Sequence, residues 1–124
     1  MSPSALSLDR TGEPAPSLAG AASPVATQTA RTAMVLAATA LGVPLDAVLA
    51  DHRCAAPVAT ARQVGMYLAH VELGLPQADV ARAFQRDRST VAYACRRVED
   101  MRDHPVFDAD LVRLATCARF ALRS

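Results

Sequence analysis

Residues 76–101, PQADVARAFQRDRSTVAYACRRVEDM, decide the fold. The stretch reads as two helices joined by a tight turn. Val80, Ala81 and Phe84 give the first helix an apolar face, and Gln85 and Arg86 then interrupt the pattern. The Asp87 side chain can accept a backbone hydrogen bond at the next helix start, because the first helical N–H groups have no intrahelical partner. Val91, Ala94, Cys95, Val98 and Met101 recur at three- and four-residue steps, which is one face of a helix over about residues 88–102. Its first turn carries Arg88, Ser89 and Thr90. This is the end that a helix-turn-helix protein inserts into the DNA major groove. Over residues 86–102, Arg86, Arg88, Arg96, Arg97 and Arg102 outnumber Asp87, Glu99 and Asp100, so this part is locally positive.

Composition sets the bounds around this motif. A chain of 124 residues predicts one domain with a tail. Apolar residues make up 52%, enough to fill a small core, while only 4% are aromatic and Ala is abundant. That balance favours closely packed helices over a β-sandwich. The net charge of +1 is too small for a protein that lives on nonspecific DNA attraction, so the positive charge that matters is local. All 13 basic residues are Arg, which base composition of the gene can explain. Cys54, Cys95 and Cys117 form no CxxC pair and read as reduced thiols of a cytosolic protein. No apolar run has membrane length and no signal peptide is recognisable.

Along the chain, residues 1–28 hold Pro3, Pro14, Pro16 and Pro24 among Ser, Gly, Ala and Thr, and read as a disordered tail. A helix is expected from about Thr29 to Gly42, with Val35, Leu36, Thr39 and Ala40 buried. Pro44 suits the start of a short helix ending near Leu49. Residues 51–59 form a loop whose Asp51, His52 and Cys54 lack a second ligand pair, so no metal site is assigned. Thr60 is expected to cap a helix to about Leu73, with Val64, Tyr67, Leu68 and Val71 on its core stripe and Gly74 ending it. Arg62 and Gln63 would then occupy the first turn, where the helix dipole favours phosphate. Pro105 breaks the chain. A last helix from about Asp108 to Arg123 packs Leu111 or Val112, Leu114, Ala115, Ala118 and Leu122 on the core, or serves dimerisation.

The motif Arg86-Asp87-Arg88-Ser89-Thr90-Val91, followed by Ala94-Cys95-Arg96-Arg97-Val98-Glu99, resembles the C-terminal DNA-binding domain of the bacterial replication initiator DnaA. Ala61-Arg62-Gln63-Val64, Met66, Leu68-Ala69-His70 and Ala83-Phe84 fit the same pattern. The likeness is strongest over residues 61–101 and extends more weakly from about 32 to 120. It implies an all-α, helix-turn-helix domain of the DnaA C-terminal (Trp-repressor-like) type over residues 29–124. It also implies contacts to double-stranded DNA by Arg53, Arg62, Gln63, His70, Arg86, Asp87, Arg88, Ser89, Thr90 and Arg97. Cys54 stands about where the family carries a minor-groove arginine, which weakens the expectation of contact there. Arg88 replaces the histidine usual in the family.

No GxxxxGK[ST] loop, GxSxG, HExxH or Cys-His arrangement points to nucleotide binding or catalysis, so the chain reads as a non-enzyme without a cofactor. The resemblance implies a cytoplasmic, nucleoid-associated transcription regulator working with RNA polymerase or a second regulatory protein. Some stand-alone relatives resemble activators of gene transfer agent clusters. Two other readings remain open. One is a replication regulator competing for initiator boxes; the other is a protein-interaction adaptor that has lost DNA.

Overall fold

The computed structural model describes residues 23–50 and 55–123, all of whose regular structure is helical. Six α-helices follow in order: α1 (Pro24–Leu41), α2 (Leu45–Leu49), α3 (Ala56–Tyr67), α4 (Gln77–Phe84), α5 (Arg88–Met101) and α6 (Pro105–Arg123). The expected tail, up to residue 22, and the expected loop residues 51–54 lie outside the described residues.

α1 begins earlier than expected. Ser23 takes the N-cap position, its Oγ accepts from Ala26 N at 3.1 Å, and Pro24 opens the helix. Residues 24–28, assigned to the tail on composition, are therefore helical. The fixed φ of proline suits a first turn, where its missing N–H costs nothing. The buried face of α1 also differs from the expected one. Ala26, Thr29, Ala30, Ala33, Met34, Ala37 and Ala38 face inward, whereas Val35, Thr39 and Ala40 are exposed and Leu36 is half-buried. Small residues line this face because α1 runs close to α3: a β-carbon at Gly65 would lie 3.5 Å from Met34 Cα and 3.2 Å from Phe84 Cζ. Larger side chains are displaced to the periphery. Gly42, at φ 69°, closes α1 in the left-handed conformation that glycine adopts without penalty.

α3 starts at Ala56 with Pro57 in its first turn, so Thr60 lies inside the helix instead of capping it. Its C-terminal continuation, Leu68–Glu72, is π-helical. Leu73 N donates to Leu68 O at 2.9 Å, a five-residue closure. The wider turn shifts the angular register. Val64, Tyr67 and Leu68 stay buried as expected, but Val71 is rotated outward to 46% exposure.

α4 and α5 form the helix-turn-helix anticipated from the sequence. Val80, Ala81 and Phe84 are buried, as are Val91, Ala94 and Val98, with Cys95 and Met101 half-buried beside them. Burial of a side chain the size of Phe84 stabilises by about 1.5–3 kcal/mol. α6 opens on Pro105, three residues before the expected start, because proline is a good first helical residue. Leu111, Ala115 and Ala118 seat it on the core, whereas Val112 and Leu122 are 49% and 38% exposed.

Candidate nucleic-acid interface

The turn between α4 and α5 is built on Gln85, which sits at φ 57° and ψ 48°. Arg86 N donates to Ala81 O and Gln85 N to Arg82 O, which satisfies the last α4 carbonyls and reverses the chain. α5 then leaves the turn with Asp87 at the N-cap position, φ −75° and ψ 156°. The Asp87 backbone carbonyl accepts from Thr90 N and Val91 N, but its side chain makes no capping bond. The expected cap is thus present in position and absent in chemistry. The carboxylate stays exposed, beside exposed Arg88 and Ser89 and half-buried Thr90.

Thr90, Tyr93 and Arg97 follow at three- and four-residue steps, so they share one face of α5. Arg97 is exposed and Tyr93 is 52% exposed. Gln63 of α3 joins Thr90 and Tyr93 in lining one cleft of ≈ 180 Å³. Sequence reasoning missed Tyr93. Its spacing from Thr90, off the apolar stripe, was the available signal. On the other side of the turn, Arg82, Gln85, Arg86, Asp87 and Arg88 line a second, shallow recess of ≈ 480 Å³. The start of α5 therefore lies between two concave surfaces, both bordered by arginine.

Arg62 and Arg86 have roles the sequence did not disclose. Because α3 begins at Ala56, Arg62 and Gln63 sit beyond its first turn, and the expected dipole argument does not apply to them. Arg62 Nε donates to Val48 O at 2.8 Å, and Nη2 donates to Ala47 O and Ala50 O, each at 3.2 Å. Arg86 Nη2 donates to the same Ala50 oxygen, and its Nη1 donates to Phe84 O and Gln85 O. Two arginines, 24 positions apart in the chain, thus bind the C-terminal carbonyls of α2. They tie α2 to α3 and to the turn before α5. Arg53 lies outside the described residues. His70 sits in the π-helical turn, where Nδ1–H donates to Leu75 O at 2.7 Å and fixes the entry into α4. The structure does not bring it to the α3–α5 cleft.

α5 is held at its far end by a polar network. Tyr67 OH donates to Glu99 Oε2 at 2.9 Å and accepts from Arg102 Nη1 at 2.8 Å; Arg102 Nε donates to Asp108. Burial, then the hydrogen bond to the Glu99 carboxylate, raises the Tyr67 hydroxyl above its ordinary pKa. Hydrogen bonds to Asp108 and Tyr67 raise the Arg102 guanidinium. Burial, then nearby Glu99, pushes the Cys95 thiol up. Among the described residues no group of three His, Cys, Asp or Glu side chains could hold a metal, and no helix is long and apolar enough to cross a membrane.

The family model for the bacterial DnaA protein helix-turn-helix matches residues 32–98, more than half of the chain. The chain belongs to this family. The match runs from within α1 to within α5, and includes α4, the turn and all of α5 but its last three residues. The DnaA helix-turn-helix is a DNA-binding, non-catalytic module, and DNA is the partner that membership supports. No curated protein matches the chain.

Proposed function

We propose that this DnaA-family chain binds double-stranded DNA sequence-specifically through α5 and regulates transcription. The observation that carries the reading is the exposed start of α5, where the Asp87 carboxylate is not consumed as a cap. A free carboxylate can accept from cytosine N4, and the planar fork of Arg88 matches guanine O6 and N7. Ser89 and Thr90 complete the reading set, with the Thr90 methyl against a thymine methyl. Gln63, which shares the cleft with Tyr93, and Arg97, one turn further along α5, are assigned to phosphate, which positions the helix without specifying sequence. Arg62, Arg86 and His70 support this surface through the backbone carbonyls they hold. Arg53 is a further proposed phosphate contact.

Arg88 is where this chain departs from the family's usual histidine. A good bidentate pair to guanine is worth about 1–3 kcal/mol of discrimination. Sites selected from random DNA by the wild type should therefore carry a guanine that Arg88→His no longer requires. An identical consensus from both proteins, with only a uniform loss of affinity, would overturn the guanine assignment.

The proposal extends to promoter sites, including those of a gene transfer agent cluster, where the chain would act as an activator. Chromatin immunoprecipitation with sequencing tests this level. Occupancy confined to initiator boxes would replace transcription control by replication control. No specific DNA in either experiment would favour an adaptor role.

A further inference from the structure

Asp87 carries an uncommitted charge at the start of α5. Its side chain is exposed and makes no capping bond, and among the described residues it takes part in no hydrogen bond or ion pair. The Thr90 amide, a usual target of an N-cap side chain, donates to the Asp87 carbonyl at 3.0 Å instead. Arg82, which lines the same ≈ 480 Å³ recess, is paired with Asp79 at 2.8 Å. Arg86 donates to the backbone oxygens of Ala50, Phe84 and Gln85. Arg86 and Arg88, the neighbours of Asp87 in sequence, offset the repulsion between its carboxylate and DNA phosphate.

An ionised aspartate offers acceptors and no donor. In the major groove guanine presents two acceptors, and thymine an acceptor and a methyl group. Adenine sets its N6 donor beside the N7 acceptor, which repels a carboxylate. Cytosine alone presents a donor, N4, with no acceptor beside it. One N4 hydrogen is used in the pair with guanine; the other points into the groove. A methyl group on N4 leaves that base pair intact only by taking the position of the groove hydrogen. It removes the one donor and puts an apolar group where the carboxylate would sit. The carboxylate is then desolvated without a partner, which adds to the loss.

We propose that Asp87 makes binding depend on the modification state of the DNA: it accepts from unmodified cytosine and rejects N4-methylcytosine. The inference rests on the major-groove reading of α5 given above and adds a ligand distinction to it. Occupancy of a site is then controlled by any enzyme that methylates the exocyclic amine of the cytosine facing Asp87, with no change in base sequence. The discrimination belongs to one side chain, because Arg88, Ser89 and Thr90 are assigned to other groups in the groove.

The test starts from sites that the full chain selects out of random duplex DNA. Each cytosine of the selected site is replaced in turn by N4-methylcytosine, and binding of the full chain and of Asp87→Ala is followed by fluorescence anisotropy. At one cytosine the methyl group should weaken wild-type binding by about tenfold or more, the worth of a hydrogen bond to a charged group. The same methyl group should cost Asp87→Ala less than about threefold, because no carboxylate remains to lose its donor. Circular dichroism should report unchanged folding for the variant, whose side chain makes no capping bond in the wild type. A selected site that tolerates N4-methylcytosine at every position, or a variant as sensitive as the wild type, overturns the inference and leaves sequence-specific binding standing. Failure to select any site overturns both.

Discussion

Replacing Arg62 by alanine separates two roles for one side chain. Val48 is buried, so losing the Arg62 bond leaves its carbonyl unsatisfied, at about 1–3 kcal/mol. Ala47 and Ala50 are half-buried, water recovers most of their bonds, and each adds about 0.5 kcal/mol. The sum is about 2–4 kcal/mol, which for a domain of this size lowers Tm by on the order of 10–20 °C. Arg62→Lys keeps the charge but lacks the fork that reaches three carbonyls, and should recover less than half of the loss. Thermal unfolding followed by circular dichroism measures the effect. The same proteins are then titrated with DNA over a salt series. A residue that only contacts phosphate would leave Tm within about 2 °C of wild type. Its loss would instead reduce the slope of log affinity against log salt by about one. That pair of results would refute the assignment of Arg62 to α2.

Tyr67→Phe should cost about 1 kcal/mol at neutral pH by deleting the hydroxyl that bridges Arg102 and Glu99. It should also change the alkaline behaviour: the raised Tyr67 pKa means the folded state holds the proton more tightly. Wild-type stability from this group is then complete below pH 10.0 and falls as pH rises from there through the folded value, a decline the variant lacks. Melts of both proteins from neutral to strongly alkaline pH give the comparison, and equal slopes would remove Tyr67 as the cause. Ser23→Ala should lower stability by about 1 kcal/mol in urea unfolding through loss of the α1 cap, whereas Ser23→Asp should not. Thr90→Ala should change stability by less than about 0.5 kcal/mol yet relax preference at one base pair in selected sites. Lost stability with an unchanged motif would make Thr90 a structural residue instead.

α4 and α5 were legible because their large apolar residues recur on narrow stripes and the turn breaks the pattern sharply. The face of α1 was not, because alanine carries little hydropathy contrast and the close approach of α3 at Gly65 is invisible without the fold. Val71 misled for a different reason: its stripe assumes uniform α-helical geometry, and a π-helical turn adds a residue per cycle. Arg86, Asp87, Arg88, Ser89 and Thr90 were found as a cluster since they are contiguous. The convergence of Arg62 and Arg86 on Ala50 joins positions 12 and 36 apart, and no local pattern encodes it.

The bare Asp87 carboxylate has a thermodynamic consequence. A helix without a side-chain cap leaves early N–H groups, here those of Arg88 and Ser89, with no protein acceptor. The first turn of α5 is thus the least secured part of the helix in the isolated protein, with its far end fixed through Glu99 and Arg102. In the proposed complex, a DNA phosphate or base edge brought to that turn would supply the missing acceptors. Ligand binding then completes secondary structure as well as making contacts. Amide hydrogen exchange should register it as protection gained at the start of α5 and hardly at all at its end. If α5 docks as proposed, part of the intrinsic affinity would go to that ordering, and mutations that cap α5 from within the protein would trade reading ability for stability.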